Sequence, residues 1–354
     1  MPNLDPHEAS PRENSILFNS EAKKQKTLAE LTKIFIHYRN KQGKLNSSYT
    51  CEAIEDSNMN LVLRISIDGH YWLIKHADPW VRKYPSIPAP VSRTKQEANF
   101  YKVFGKNPKL KNLMPEYLGF EARENILALE YIEHASSGMN FYCNKHLRGI
   151  PENLFEQAIS YLTALHSENP CDSIDWSNQG LRNLNHLHMF EFPFDPANGI
   201  DLNQFCPGLA QLGHKFQRDL ELKKACSVAG TRYLHAQGPM VLHGDFYPGS
   251  WLIKGEKLFI IDPEFCFLGP AEFDLGVLLA HNLIIGSSMN KVDCFIDRYK
   301  QLSGSATLID RELCLKFCGV EILRRILGAA QLPINWPLSR YEAMLNLGRK
   351  YCVQ

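Results

Sequence analysis

The chain has 354 residues, with 39 Lys+Arg against 38 Asp+Glu and a formal net charge of +1. This balance lacks the basic excess that nucleic-acid-binding proteins use, so we expect no nucleic-acid partner. Hydrophobic residues make up 44% and charged residues 22%, which excludes wholesale disorder, and the length favours two domains.

The first twenty residues mix acidic and basic side chains without an apolar core, so they do not resemble a secretory signal. The most apolar stretch, 276–286, is interrupted by His281 and Asn282 and is well short of the roughly 18–20 apolar residues of a membrane span. The ten cysteines are spread along the chain without a CxxC pair, which argues against a zinc ribbon or a disulfide scaffold. We therefore expect a cytoplasmic protein with reduced thiols and no membrane partner.

The first third of the chain alternates helical and strand patterns. Helical spacing of apolar residues, including Phe35 and Tyr38, predicts an amphipathic helix over 22–40. Asp68-Gly69 separates two β-rich runs, which is a strong hairpin signal. The resulting predictions, in chain order, are a hairpin of strands 61–67 and 70–76, a proline-rich loop over 78–90, a helix over 92–106 and a pair of strands within 115–133.

The remainder of the chain is mainly helical by periodicity. Helices are predicted over 152–167, 208–237, 271–286, 308–331 and 338–350. The exception is 241–265, where short β-rich runs alternate with turns and predict a loop with a small hairpin. The expected fold class is α+β, with a small β-rich lobe over 1–132 and a larger helical lobe over 133–354.

Residues 241–265 are the chemically informative segment, because they place Asp245 and Asp262-Pro263-Glu264 around one predicted hairpin. Phosphoryl transfer from ATP needs a carboxylate beside the attacking hydroxyl and oxygen ligands for Mg²⁺. Since strand side chains alternate, positions 262 and 264 are expected to face the same side. Ser250 offers a further hydroxyl to the metal.

Each motif also has a purely structural interpretation, since His-Gly-Asp occurs by chance and Asp-Pro-Glu is an ordinary turn. The combination is more specific, because it is followed by Gly269-Pro270 and then Phe-Asp-Leu-Gly at 273–276. Together these residues favour a kinase.

This pattern resembles the aminoglycoside phosphotransferase-like and choline kinase-like small-molecule kinases. The sequence HGDFYPGSWLI…FIIDPEFCFLGPAEFDLG is most similar to that of the 5-methylthioribose kinase family, which also has Ser and Glu at the positions of Ser250 and Glu264. The resemblance implies a protein kinase-like two-lobed fold, with ATP and Mg²⁺ as cofactors. Its motifs occur in order over about residues 25–331.

The resemblance also assigns an ATP site. SNMNLVLRI (57–65) is similar to the family's phosphate loop, WLIKHADPWVRKYP (72–85) contains the ATP-phosphate lysine, SRTKQEANFY (92–101) contains its acidic partner, and LALEYIE (127–133) is similar to the interlobe hinge. The implied ATP-binding residues are Asn58, Asn60, Lys75, Glu97, Glu130, Tyr131 and Ile132.

The catalytic roles follow from the same resemblance. Asp245 is the implied catalytic base, and Asp262, Glu264 and Ser250 are the implied Mg²⁺ ligands. EILRRILGAAQ (321–331) resembles the segment that places two arginines by the sugar. The implied acceptor contacts are Arg324, Arg325 and Tyr247, with His243 and Asp274 as structural supports of the catalytic loop.

Adjacent helical positions point about 100° apart. We therefore expect at most one of Arg324 and Arg325 to point straight into the pocket.

The implied reaction is ATP-dependent phosphorylation of an alcohol of a sugar-like metabolite, 5-methylthioribose in methionine salvage. Tyr247-Pro248 replaces the family's His-Thr, which keeps open a kinase for another hydroxylated small molecule, such as an aminoglycoside, choline or another amino alcohol, or homoserine. The phosphate loop has Ser57 at the family's glycine position. An alternative from another functional class therefore stays open, which is a catalytically silent nucleotide-binding regulatory protein. The expected partner is a small-molecule acceptor, and formation of a homodimer stays open.

Overall fold

The computed structural model describes residues 22–34, 36, 49–54, 57–67, 69–144, 146, 148–235, 238–304 and 308–354. These residues divide into two compact units. The first comprises the described residues up to Lys95 together with Tyr117–Glu133, and the second comprises Gln96–Glu116 and His134–Gln354.

The first unit is built on a five-stranded antiparallel sheet in the order β1-β2-β3-β7-β6. Its elements are helix α1 (22–34) and strands β1 (Tyr49–Ala53), β2 (Leu61–Ile67), β3 (His70–His76), β4 (Trp80–Val81), β5 (Tyr84–Pro88), β6 (Tyr117–Glu121) and β7 (Ile126–Glu130). Strands β2 and β3 pair from Leu61 opposite His76 to Ile67 opposite His70, which confirms the hairpin with its expected bounds. Asp68 lies outside the described residues.

The core of this unit lies between α1 and one face of the sheet. Alternating residues of β2 (Leu61, Leu63 and Ile65) are buried together with Leu28 and Ala29 of the helix. Such alternation is expected of a strand with one buried face. The amphipathic helix is confirmed over 22–34, while Phe35 and Tyr38 lie outside the described residues.

The proline-rich segment is not the plain loop that the sequence suggests. Trp80–Val81 and Tyr84–Pro88 pair as a separate two-stranded antiparallel ribbon, with Trp80 opposite Pro88 and Val81 opposite Tyr84. All five residues of β5 are exposed. Proline lacks an N–H donor but is tolerated on an edge strand, and both strands of a two-stranded ribbon are edges.

The second unit is mainly helical. Helix α2 (Arg93–Phe104) enters it from the first unit, and its other helices are α3 (Pro108–Lys111), α4 (Asn140–Cys143), α5 (Glu152–His166), α6 (Gln179–His186), α7 (Leu209–Gln217), α8 (Leu220–His235), α9 (Glu272–Ile285), α10 (Val292–Ser303), α11 (Arg311–Leu327) and α12 (Leu338–Val353). Its short strands are β8 (Ser136–Ser137), β9 (Met240–Leu242), β10 (Trp251–Lys254), β11 (Lys257–Ile260) and β12 (Phe267–Gly269).

The short strands form two small sheets, one in the order β11-β10-β8 and one that pairs β12 with β9. The loop and small hairpin expected over 241–265 are therefore present. The single helix expected over 208–237 is two helices, because Asp219 lies between them and its side chain accepts the backbone N–H of Leu222 at 3.0 Å, near the start of α8.

Two helices form the interior of this unit. Every residue of α9 is buried, and so are all residues of α11 from Phe317 to Leu327. A helix buried on all sides is normally apolar throughout. These two helices instead carry buried charged or ionisable side chains, among them Glu272, Asp274 and His281 on α9 and Glu321, Arg324 and Arg325 on α11.

The assignment of residues 96–116 differs from the division at 132/133 expected from the sequence. These residues belong to the second unit, since Phe100 packs edge-on against His243 and Phe104 packs against Trp176. The chain passes from the first unit into the second for the last time after Glu133, within one residue of the boundary expected at 132/133.

Candidate active site

The loop between β9 and β10 carries the His-Gly-Asp motif. Asp274, wholly buried in the first turn of α9, accepts the backbone N–H of His243 at Oδ2 (2.7 Å) and that of Gly244 at Oδ1 (3.0 Å). His166 Nε2 lies 3.2 Å from the same Oδ2. Hydrogen bonds to a carboxylate are among the stronger ones in proteins. Asp274 therefore holds the start of the loop in one position.

His243 holds the loop from beneath. Its Nε2 lies 3.0 Å from the carbonyl oxygen of Ile261, and because a carbonyl only accepts, Nε2 carries the proton. Nδ1 is then the acceptor for the backbone N–H of Asp245 at 3.4 Å. Burial lowers the pKa of His243 in spite of the nearby Asp274, so the ring is neutral. His243 thus orients the backbone of Asp245 and holds no proton available for transfer.

Gly244 makes the tight turn between these two residues. Its φ is +84°, in the left-handed region, and a Cβ at this position would lie 2.1 Å from the carbonyl oxygen of Phe265. Glycine adopts this conformation without steric cost. No residue with a side chain fits here unless the backbone moves.

Asp245 projects toward two guanidinium groups. Its Oδ1 lies 3.4 Å from Nη2 of Arg324 and 3.7 Å from Nη2 of Arg325. The expectation that only one arginine would point toward the site is wrong, because both long side chains bend toward the same oxygen. Burial raises the pKa of Asp245, whose side chain is 27% exposed, although both arginines act to lower it. Desolvation outweighs the two positive charges, so the carboxylate is a stronger base than an ordinary aspartate.

Tyr247 fills the space beside this carboxylate. Its ring lies 4.1 Å beneath the guanidinium of Arg325, and its centroid is 4.9 Å from that of His281. A Cβ at Gly249 would overlap the Tyr247 ring at 2.2 Å, so the ring folds back over that glycine. Tyr247 therefore forms a wall of the site and contacts one of its arginines through a cation–π interaction.

The two arginines share one buried carboxylate. Nε of Arg324 donates to Oε2 of Glu321 at 2.6 Å, and Nε of Arg325 donates to Oε1 at 2.7 Å. Nε2 of His281 lies 2.8 Å from the same Oε1, and its Nδ1 lies 2.5 Å from the hydroxyl of Tyr142. The side chains of Glu321 and His281 have no exposed surface. A buried network of charged and polar side chains that is satisfied by mutual hydrogen bonds is rigid.

A further histidine lies next to Arg324. His188 belongs to a π-helical turn, Leu187–Glu191, and its Nδ1 lies 3.3 Å from Nη1 of Arg324. Burial, with the charges of Arg324 and Arg325, lowers the pKa of His188 to about 3. The ring is neutral at physiological pH. Since guanidinium only donates, Nδ1 accepts and Nε2 carries the proton.

The acidic motif forms a turn and not a continued strand. Asp262 has φ +64°, in the left-handed region, and Pro263–Phe265 form a single 3-10 turn. The expected strand alternation of positions 262 and 264 is therefore wrong, because the strand ends at Ile260. Glu264 is buried, at 5% exposure. A non-glycine residue at positive φ costs about 1–3 kcal/mol and is found most often at functional sites.

Ser250 closes the catalytic loop on itself. Its hydroxyl donates to the carbonyl oxygen of Asp245 at 2.9 Å, and its backbone N–H donates to the carbonyl of Tyr247 at 2.8 Å. The backbone N–H of Ile261 in turn donates to the carbonyl of Ser250 at 2.9 Å. The loop that carries Asp245 is thus bonded to the chain that leads into the acidic turn.

The chemistry of the acidic turn fits Mg²⁺. This ion takes oxygen ligands and is usually held by one or two carboxylates together with water and substrate phosphates. Asp262 and Glu264 supply two carboxylates on one turn. In the described part of the chain, no group of three or more His, Cys, Asp or Glu side chains is arranged to hold a metal ion.

The residues expected to bind ATP are distributed over both units. Lys75 is buried at 4% exposure on β3, between Val62 of β2 and Leu127 of β7. Asn58 is exposed and Asn60 is buried. Glu130 ends β7, followed by Tyr131 and the buried Ile132. Glu97 is wholly buried on α2 and belongs to the second unit.

The segment that the sequence predicts to be the phosphate loop is held by a fully buried arginine. Arg93 donates to Oδ1 of Asn60 at 2.7 Å and to the carbonyl oxygens of Met59 (2.8 Å), Asp78 (2.8 Å) and Pro90 (2.9 Å). These bonds tie residues 59–60 to the segment that carries β4 and β5. A loop without glycine is thereby given a fixed backbone within the first unit.

Sequence reasoning did not find Glu321, His281, Tyr142 or His188. A signal for Glu321 exists, because it lies three and four residues before Arg324 and Arg325, the spacing at which helical side chains meet. His281 follows a run of apolar or small residues (275–280) on α9, and an ionisable side chain at such a position is unusual for a buried helix. Tyr142 and His188 carry no such signal.

A sequence profile of the phosphotransferase enzyme family matches residues 55–306. The chain belongs to this family. It is therefore a small-molecule phosphotransferase, as the sequence indicates, and membership implies the use of ATP and typically of a divalent metal.

Curated relatives of this phosphotransferase include methylthioribose kinases. The chain is 25% identical over 328 residues to the methylthioribose kinase of Exiguobacterium sibiricum, covering 80% of this chain and 81% of that protein. It is 22% identical over 348 residues to that of Bacillus velezensis, covering 86% of each. The resemblance to this group is confirmed.

The fold is also that of known kinases. The choline kinase LicA from Streptococcus pneumoniae superposes with a TM-score of 0.50 at 11% identity, covering 91% of this chain and 99% of that one. This likeness concerns the fold alone. The protein kinase-like α+β fold, with a small antiparallel-sheet lobe and a helical lobe, is confirmed.

Two other expectations concern the cysteines and the helices. All ten cysteines lie in the described residues and are free thiols. Within the described part of the chain, every helix is too short or too polar to cross a bilayer.

Proposed function

We propose that this phosphotransferase is an ATP- and Mg²⁺-dependent kinase that phosphorylates an alcohol of 5-methylthioribose. The observation that carries the proposal is the convergence of Arg324 and Arg325 on Asp245, at 3.4 and 3.7 Å. Guanidinium groups donate hydrogen bonds in a fixed fork. An acceptor rich in hydroxyl oxygens suits these donors, whereas the ammonium group of an aminoglycoside or choline would be repelled by them.

Asp245 is proposed as the base that orients the acceptor hydroxyl and takes its proton. Its raised pKa favours this role, because a base works best when its pKa approaches the working pH. His243 and Asp274 hold the loop so that the carboxylate meets the hydroxyl in one orientation. Arg324 and Arg325 keep the carboxylate in place and donate to the acceptor's oxygens.

The donor side is proposed from the residues that the resemblance assigns. Lys75 would bind ATP phosphates with Glu97 as its acidic partner, Asn58 and Asn60 would line the phosphate loop, and Glu130–Ile132 would meet the adenine. Asp262 and Glu264, with Ser250, would hold Mg²⁺, which neutralises phosphate charge when bound. We expect activity to disappear with a chelator and to return with added Mg²⁺.

A coupled ADP-release assay tests the proposal directly. The panel contains 5-methylthioribose, other sugars, homoserine, choline and aminoglycosides. We expect methylthioribose to give the highest kcat/KM. Tyr247 stands where the resembling kinases have histidine, and this favours the second candidate, a kinase for another polyol. A strong response to a different alcohol with none to methylthioribose would establish the second candidate, and ATP binding without transfer to any acceptor would favour a silent regulatory protein.

A further inference from the structure

Glu321 is a wholly buried carboxylate that receives four N–H donors. Oε2 accepts from Nε of Arg324 (2.6 Å), and Oε1 accepts from Nη2 of Arg324 (3.3 Å), Nε of Arg325 (2.7 Å) and Nε2 of His281 (2.8 Å). A buried carboxylate is costly unless its partners are close and well aligned. Burial alone would raise the pKa of Glu321, but Arg324, Arg325 and His281 hold it well below its ordinary value. The carboxylate is therefore ionised.

The bonding around His281 has only one consistent arrangement. A carboxylate only accepts, so Nε2 of His281 carries the proton that it donates to Glu321. Burial, together with Arg325 and Arg324, lowers the pKa of His281 to about 4, so Nδ1 carries no proton near neutral pH and accepts from the hydroxyl of Tyr142. Tyr142 thus fixes the histidine, and the histidine fixes the carboxylate.

This carboxylate explains why two neighbouring arginines reach one atom. Side chains at adjacent helical positions diverge by about 100°, yet Arg324 and Arg325 both approach Oδ1 of Asp245. Glu321 lies three and four residues before them on α11, on the same face of the helix. Binding both Nε atoms turns the two Nη2 atoms toward Asp245.

We propose that Glu321, held by His281 and Tyr142, is a positioning residue that orients both arginines toward Asp245 without contacting the acceptor. The catalytic consequence rests on the proposed function, whereas the orientation of the arginines does not. Glu321 thus acts only through Arg324 and Arg325.

The kinetic test is a double-mutant cycle between Glu321→Gln and the pair Arg324→Ala/Arg325→Ala. In the native background, the Glu321→Gln variant should lose kcat by on the order of 10²-fold, as expected for a misplacement of about 1 Å, with KM for ATP nearly unchanged. In the background that lacks Arg324 and Arg325, the same change should lower kcat by less than about 3-fold, because the kinetic effects of residues that act as a unit are not additive. Glu156→Gln is the matched control, since Glu156 also binds an arginine, Arg298, but on the surface.

A second pair of variants covers the case in which Glu321→Gln does not fold. His281→Gln keeps an N–H donor where Nε2 stands and should retain most of kcat. His281→Phe removes that donor and should lower kcat without changing KM for ATP. A loss that is equal in both variants would overturn the proposal, since the donor to Glu321 is what distinguishes them.

A measurement that needs no acceptor separates the two proposals. In spectra of ¹⁵N-labelled arginine side chains, the Nε–H groups of Arg324 and Arg325 should exchange slowly with solvent in the native protein and rapidly in the Glu321→Gln variant. Unchanged exchange in a folded Glu321→Gln variant, or equal kinetic losses in both arginine backgrounds, would overturn the positioning role. If no acceptor is phosphorylated by the native protein while the exchange behaves as expected, the proposed function fails and the positioning of the arginines is supported.

Discussion

Replacement of Gly244 by alanine tests how strictly the catalytic loop is positioned. The glycine has φ +84°, and the new Cβ would lie 2.1 Å from the carbonyl oxygen of Phe265. That oxygen is backbone, so it cannot rotate away as a side chain could. The residue that follows is Asp245, so any backbone shift moves the proposed base.

The expected magnitude has two parts. A left-handed conformation costs an L-residue about 1–2 kcal/mol. Forcing an extra carbon into a packed site costs about 1–3 kcal/mol more. We therefore expect Gly244→Ala to lower the free energy of unfolding by about 2–5 kcal/mol. The surviving folded enzyme should lose kcat by on the order of 10²-fold.

Gly255→Ala is a matched control, because Gly255 also has a positive φ, +62°, in the β10–β11 turn, but no atom lies within 4 Å of its Cβ position. Its free energy of unfolding should fall by only the conformational cost of about 1–2 kcal/mol, and kcat should stay native. Urea unfolding and the coupled ADP assay measure both quantities. Equal stability losses in the two variants, with kcat of Gly244→Ala within about 3-fold of native, would refute the steric reasoning.

Two further predictions concern buried groups. Arg93→Lys should lower the free energy of unfolding by about 2–4 kcal/mol and raise KM for ATP, because one ammonium group cannot serve the five acceptors of the guanidinium. The surface variant Arg298→Lys should change both quantities little, and an equal effect of the two substitutions would contradict the role of Arg93. The pKa of His281 is lowered to about 4, below its unfolded value of about 6.5, so the unfolded state binds the proton first and stability falls as pH drops through that window. Denaturant unfolding at several pH values should show that His281→Gln reduces this slope by up to about 1.4 kcal/mol per pH unit, and an unchanged slope would contradict a neutral buried histidine.

Much of the fold could be predicted because its signals are local. The β2–β3 hairpin follows from β-rich runs around a two-residue turn, and α5 and α9 follow from periodicity. The ribbon of β4 and β5 could not be predicted, because Pro85 and Pro88 argue against any strand, and their tolerance depends on being at an edge. The π-helical turn over Leu187–Glu191 likewise has no local sequence signal.

The candidate site divides in the same way. Each acidic motif consists of three consecutive residues, so Asp245, Asp262 and Glu264 could be recognised from the motifs and their order along the chain. The convergence of Arg324 and Arg325 could not, because it depends on a third residue, Glu321, and on the packing of α11 beside α9. Helical geometry alone predicts that the two arginines diverge, and a shared buried carboxylate overcomes that tendency.

Asp245 is proposed to act as the base in transfer of a phosphoryl group from ATP to a small-molecule alcohol. The most direct measurement is single-turnover phosphoryl transfer by the Asp245→Asn variant, with ATP affinity measured separately by calorimetry. We expect ATP affinity close to native and transfer slowed by at least about 10²-fold, since general-base assistance contributes about 10²–10⁴. Near-native transfer in the variant would contradict the role of Asp245.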